Sequence, residues 1–324
     1  MHHRHRQRKE TRAGQLDSAL RSAEAALSDR LPPNSLRECT EDSRFLSLCS
    51  DSAGDESGAP VVASDGIAFD KLPPALNPMA GELASKPERV RRKQLQLRSL
   101  ALRVSREIRF QQERGVAVQV VEIGAGSGHL GLLLAYLHPS VEFVLCERKE
   151  HSVLCCEQRV RECSLHNVRV FSGDVREMRA GATLVVGLHL CGSLTDMALR
   201  LSSQLRASFV ISPCCYGQLA KPPPSAALGT EDCELLAGVL EPSLLSTICS
   251  GADFVYSVAE DSSDADYLAS RPFCAAKRSM RCVDWARLVR YMQGEPAARC
   301  MMASLRPLSC SQKNNVIIGR VGLW

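Results

Sequence analysis

The chain has 324 residues, 45% of them hydrophobic, enough for one large core or two modest ones. Forty basic and 36 acidic residues leave a net charge of +4, compatible with nucleic acid without requiring it, and 5% aromatic content argues against a surface built for base stacking. No apolar run reaches the roughly 18 residues of a membrane helix, no apolar signal region follows the basic start "MHHRHRQRKE", and 15 cysteines in such a chain read as reduced thiols. A cytoplasmic protein without membrane contact is expected.

Residues 1–65 read as an N-terminal extension. One helix, "GQLDSALRSAEAALSDRL", precedes a stretch "CSDSAGDESGAP" whose polar and turn residues predict a disordered linker. Glu10, Asp17 and Glu24 interrupt the segment with acid, against an organelle transit peptide. Residues 66–324 form the second unit. Early in it, "SKPERVRRKQLQLRSLALRVSREIRF" places Val90, Leu95, Leu97, Leu100, Leu102, Val104 and Ile108 at helical spacing. Arg89, Arg92, Lys93, Arg103 and Arg106 give this helix a basic face over residues 86–106. That face is either solvated while the helix packs on the domain, or a contact for RNA.

From residue 116 the rhythm changes. "VAVQVVEI", "VEFVLCE", "VRVFSGD", "ATLVVGLHL" and "SFVIS" are short β-branched runs, separated by the helical patterns "GHLGLLLAYLH", "KEHSVLCCEQRVRECSL" and "SLTDMALRLSSQL". Continuous apolar strands alternating with helices predict a parallel sheet covered on both faces, a doubly wound α/β domain. In such sheets ligands sit at the carboxyl ends of the strands.

The stretch "VVEIGAGSGHLG" ends the first strand with four glycines, Gly124, Gly126, Gly128 and Gly131. Each costs roughly 0.5–1 kcal/mol relative to alanine inside a regular element, so a turn or a close ligand is implied. Gly126, Gly128 and Gly131 fit the G-x-G-x-x-G of a dinucleotide loop. Glu122, two residues before Gly124, decides against it: a carboxylate there repels a pyrophosphate and suits a cationic ligand. S-adenosylmethionine carries a sulfonium and an ammonium and no phosphate. Glu147 closes the second strand, the place from which a carboxylate grips ribose hydroxyls. Asp174, followed by Val175, ends the third, where it can accept from an adenine amino group.

The fourth and fifth strands run into "GLHLCGSLTDMAL" and "FVISPCCYG". His189 is the natural base for an acceptor proton, or else a neutral histidine bonded within its loop. Thr195 and Asp196 suit the cap of the next helix, with Asp196 and Tyr216 as further catalytic candidates. Cys191, Cys214 and Cys215 contain no C-x-x-C pair, and neighbouring cysteines are awkward for tetrahedral ligation, so packing and no metal is expected. Cys155 and Cys156 are expected to pack within a helix.

"VEIGAGSGHLG", "LHLCGSLTD" and "PCCYG", in this order, resemble the methyltransferase domain shared by glutathione-S-transferase-C-terminal-domain-containing proteins, methyltransferase-like proteins and acceptor-stem tRNA 2′-O-ribose methyltransferases. "LPPALNPMAGELASKPERVRRKQLQL", "MRCVDWARLVRYM" and "NNVIIG" extend the resemblance over residues 66–324. It implies a Rossmann-like, mostly parallel seven-strand sheet of the class I S-adenosylmethionine methyltransferase fold. It also implies that Glu122, Gly124, Gly126, Gly128, Glu147 and Asp174 hold the cofactor. His189, Cys191, Gly192, Asp196, Cys214 and Cys215 would line the site. Leu188 stands where the tRNA enzymes carry lysine, so the closer likeness is to the first group. The expected function is methyl transfer from S-adenosylmethionine to RNA, tRNA included, or to protein. The alternative is a non-catalytic module of the same fold that binds RNA or a protein partner.

Overall fold

The computed structural model describes residues 2–28, 30, 67–79, 85–220, 240–255 and 262–322, with side chains from residue 13 onward. The expected linker lies outside the described residues. The strands are β1 (Gln119–Ile123), β2 (Glu142–Glu147), β3 (Val168–Ser172), β4 (Leu184–Cys191), β5 (Ser208–Cys214), β6 (Arg299–Ser304) and β7 (Asn315–Arg320). They form one sheet of order β3-β2-β1-β4-β5-β7-β6. β1 to β5 pair in parallel, and β7 runs antiparallel to both β5 and β6.

Described helices, in chain order, are α1 (His2–Ser28), α2 (Pro87–Gln112), α3 (His129–Leu137), α4 (Glu150–Glu162), α5 (Leu194–Leu205), α6 (Pro242–Ala252), α7 (Asp264–Ala269) and α8 (Arg271–Gly294). Successive side chains of a strand point to opposite faces, and the sheet feeds two cores accordingly. Val120, Phe143, Leu145, Val186 and Val210 pack with Leu97, Leu100 and Val104 of α2 and with Leu130 and Leu133 of α3. Val121, Ile123, Val185, Phe209 and Ile211 pack with α5, α6 and α8 on the other face.

The helix expected in the N-terminal extension joins this second core. Ala19, Leu20, Ala23 and Leu27 are buried at helical spacing against α6 and α8. Arg278 of α8 donates to both carboxylate oxygens of Glu24, at 3.0 and 2.9 Å. Burial of leucines such as Leu20 and Leu27 stabilises by about 1.5–3 kcal/mol each, so packing outweighs that exposed ion pair. Among the described residues no helix is long and apolar enough to cross a membrane.

The basic face of α2 is divided by its surroundings. Arg103 is buried and donates to the Ser304 carbonyl at 2.8 Å, tying α2 to β6. Lys93 turns inward toward β1, while Arg89 and Arg92 remain exposed.

Candidate cofactor and acceptor site

The loop between β1 and α3 lies at the carboxyl edge of the sheet, where β1 has β2 on one side and β4 on the other. Gly124, Gly126 and Gly128 all take positive φ. At Gly126 (φ +56°) a Cβ would meet nothing within 4 Å, so the loop presents open space there. Gly131 serves packing instead: a Cβ would lie 2.2 Å from Leu145 and 2.5 Å from Glu122. Only glycine lets α3 approach the sheet that closely.

The amides of this loop are directed at carboxyl groups. Gly126 N–H donates to Glu147 Oε2 at 2.8 Å, and Gly131 N–H donates to Glu122 Oε2 at 2.8 Å. The other Glu147 oxygen accepts from the backbone N–H groups of Arg148 and Lys149, at 2.8 Å each. A pyrophosphate needs such N–H groups for itself. With acids already on them, the loop suits a cation. Asp174 accepts from the Arg176 backbone at 3.0 Å and from its guanidinium at 2.8 and 2.9 Å. That pairing, above all the guanidinium hydrogen bond, holds the carboxyl at about 2. Val175 beside it is buried.

One expectation is corrected at Glu122. The pleat sends its side chain to the same face as Val120, beneath the loop, where it is 2% exposed. Burial pushes its pKa up to about 8, against the Gly131 N–H and the charge of Lys93, while Glu147 adds to the rise. Without a ligand it is a mostly neutral carboxyl at pH 7, not the anion that the sequence suggests.

His189 sits at an irregularity. The β4–β5 register shifts between Leu188 and Leu190, and His189 takes φ +62°. Leu188 therefore packs in one core and Leu190 in the other, which strict alternation forbids. Gln96 of α2 donates its amide N–H to the Cys310 carbonyl at 2.6 Å, which leaves its Oε1 to accept from His189 Nε2–H at 2.9 Å. Nδ1 is then the ring's lone-pair acceptor. Burial, reinforced by Lys93, lowers the His189 pKa to about 4, so the ring is neutral. Gln96 and Lys93 are site residues that sequence reading missed, since helical spacing on α2 names a face and not its target.

Two catalytic candidates do not reach this site. Asp196 is 2% exposed, with its oxygens on Arg287 Nε and Nη2 at 2.9 and 3.0 Å. Tyr216 is fully buried, its hydroxyl donating to Asp284 at 2.8 Å. Both belong to a buried network that also binds Asn315 through Asp284 and the Gly192 carbonyl through Arg287. Thr195 does not cap α5 either: Ser193 holds that position, and the Thr195 hydroxyl donates to the Leu190 carbonyl at 2.8 Å. All three side chains are thus engaged with protein partners.

The cysteines are the second correction. Cys191 and Cys214 stand in register on neighbouring parallel strands, with sulfurs 3.0 Å apart. Cys215 Sγ donates to Cys191 at 3.3 Å. Consecutive strand residues point apart, yet Cys215 at φ +53° swings its side chain back to Cys214's side. Adjacency in sequence is thus no obstacle to convergence. The hydrogen bond from Cys214 holds Cys191 down at about 6 and drives Cys214 upward. Cys156 packs under Gly128 as expected, while Cys155 on the same helix is half-buried.

The sheet order with its single reversed strand, and a glycine loop backed by acids, define the class I S-adenosylmethionine methyltransferase fold. Residues 92–222 match a family model described as a methyltransferase domain. The chain is 30% identical over 251 residues to the glutathione S-transferase C-terminal domain-containing protein of Bos taurus, covering 78% of this chain and 36% of that protein. Its Xenopus laevis counterpart is 31% identical over 253 residues, covering 78% and 38%. The chain thus spans little more than a third of the length of these curated relatives. Among solved structures, it is similar to an S-adenosylmethionine-dependent methyltransferase from Aquifex aeolicus (TM-score 0.33, 11% identity, 63% of this chain and 81% of that one), too loose a likeness to argue from.

Proposed function

We propose that this chain transfers a methyl group from S-adenosylmethionine to an acceptor in RNA, tRNA included, or in protein, and that it works in the cytoplasm. The observation that carries the reading is the use of the loop's amides: Gly126 and Gly131 donate to carboxyl groups and leave a site for a cation. Glu147 takes the ribose hydroxyls and Asp174, beside Val175, the adenine amino group. Glu122 and Lys93 face the ammonium and carboxylate ends of the amino-acid portion, and Gly126 keeps the loop open. The cofactor supplies a methyl already activated on sulfonium, so the chain's work is to orient an acceptor and take up its proton. His189 Nδ1 is the group placed to do that, with its ring fixed by Gln96. Exposed Arg89 and Arg92 on α2 suit the phosphates of an RNA acceptor.

The test is to incubate the full chain with methyl-labelled cofactor and with total RNA or total protein. Label is expected in one pool, and His189→Ala should lower its transfer by roughly 10²–10⁴-fold while cofactor binding persists. Cofactor binding with no label in either pool would replace this reading with a non-catalytic binding module.

A further inference from the structure

We propose that Cys191, Cys214 and Cys215 form a zinc site of three thiolates, with the fourth coordination position open to solvent. Their sulfurs all lie within 4.8 Å of one another, at the carboxyl ends of β4 and β5. The backbone is bent to bring them there. His189, Gly192 and Cys215 all take positive φ, and the first and last of these lack glycine's freedom. Left-handed backbone costs about 1–2 kcal/mol for an ordinary residue, so two such positions flanking one thiol cluster are held by their surroundings. Gly192 N–H donates to the Cys214 carbonyl at 3.0 Å, and Arg287 grips the Gly192 carbonyl at 2.9 Å, which locks the turn that presents Cys191.

The chemistry of the donors selects the ion. Soft thiolates favour zinc over calcium or magnesium, and three protein ligands with one open position is the pattern of zinc sites that exchange a ligand. Thiolates about 2.3 Å from one zinc stand about 3.8 Å apart. The sulfurs at 3.0 and 3.3 Å therefore need to spread by roughly 0.8 and 0.5 Å. Ionisation does this, since it removes the S–H···S bonds that draw them together, and Cys191 lies on the exposed side with room to move. Asp253 does not close the shell from the protein: its oxygens accept from Tyr216 N–H at 3.2 Å and Gly217 N–H at 2.7 Å. Among the described residues no fourth ligand joins the three sulfurs, and in this proposal water completes the tetrahedron. The site stands on these three side chains alone and does not depend on methyl transfer.

Zinc and cobalt(II) are the probes. The full chain, purified under reducing conditions, should contain one zinc per molecule by elemental analysis. After chelation, cobalt(II) should restore tetrahedral visible bands and thiolate-to-cobalt charge transfer, with an intensity matching three thiolates. Cys191→Ser changes an exposed residue, keeps the fold by circular dichroism, and should lose about a third of that charge transfer along with tight zinc retention. Cys163→Ser, at the C-terminal end of α4, should change neither. Metal-free protein that also fails to bind added zinc, or zinc retained unchanged by Cys191→Ser, would overturn the site. So would a Cys191–Cys214 disulfide persisting under reducing conditions.

Discussion

The pleat that sends Val120 toward α2 and α3 sends Glu122 the same way, and burial there drives its pKa to about 8. A carboxyl whose pKa is raised on folding favours the folded state fully below the unfolded value near 4.5, and that contribution is lost as pH rises through 8. Glu122→Gln is therefore expected to stabilise the ligand-free protein at pH 8 by on the order of 2–4 kcal/mol, and to change little at pH 4.5. Denaturant unfolding at the two pH values checks this, and an equal effect at both would refute it. A cation arriving at the loop lowers the same pKa. Binding of S-adenosylmethionine at pH 7 should then release a fraction of a proton, seen as a buffer-dependent heat in titration calorimetry; a heat independent of the buffer would refute the protonated state. The three strand-end acids were legible from their places after apolar runs. Which of them would be neutral was not, because burial of Glu122 comes from α2 and α3 packing over that face of β1, a tertiary contact that no local pattern shows.

At the scale of elements, α8 ties down the carboxyl ends of β4 and β5. Arg287 is fully buried and bridges Asp196 of α5, Asp284 of its own helix and the Gly192 carbonyl. Arg287→Met leaves two buried carboxylates without their cation, and is expected to destabilise by about 3–5 kcal/mol. Glu24→Gln at the α1–α8 contact removes a partly exposed partner and should cost no more than about 1 kcal/mol. Urea midpoints of the two variants test the ranking, and similar midpoints would show that the network is not what fixes α8. Strands β1 to β5 could be read from β-branched runs between helical patterns. β7, "NVIIGR", entered only through the resemblance carried by "NNVIIG", and β6, "RCMMAS", lies in none of the stretches read as strands or quoted for the resemblance. The bulge at His189 was equally hidden: a register shift belongs to the pairing of β4 with β5, not to either strand alone. The same holds for the left-handed turn at Cys215, which reversed the argument against adjacent thiols.

For the molecule as a whole, the proposed site draws on the sheet edge, the strand-end acids and α2 side chains together, so a ligand filling it should stabilise the entire fold. A ligand bound only to the folded state contributes RT ln(1 + [L]/Kd), about 2.7 kcal/mol at a hundredfold excess over Kd. S-adenosylmethionine and its demethylated product are expected to raise Tm, and NAD is not, since its pyrophosphate would meet Glu147 and find the Gly126 amide taken. Glu147→Ala tests the assignment only if two effects are separated. Its carboxylate accepts three backbone N–H groups, so the variant should melt lower even without ligand. The informative quantity is the increment in Tm on adding cofactor. Loss of the ribose contact should shrink that increment, with binding weakened by roughly 1–3 kcal/mol. An unchanged increment in Glu147→Ala would remove the ribose from this strand end, and an increment with NAD alone would overturn the cation-binding account of the loop.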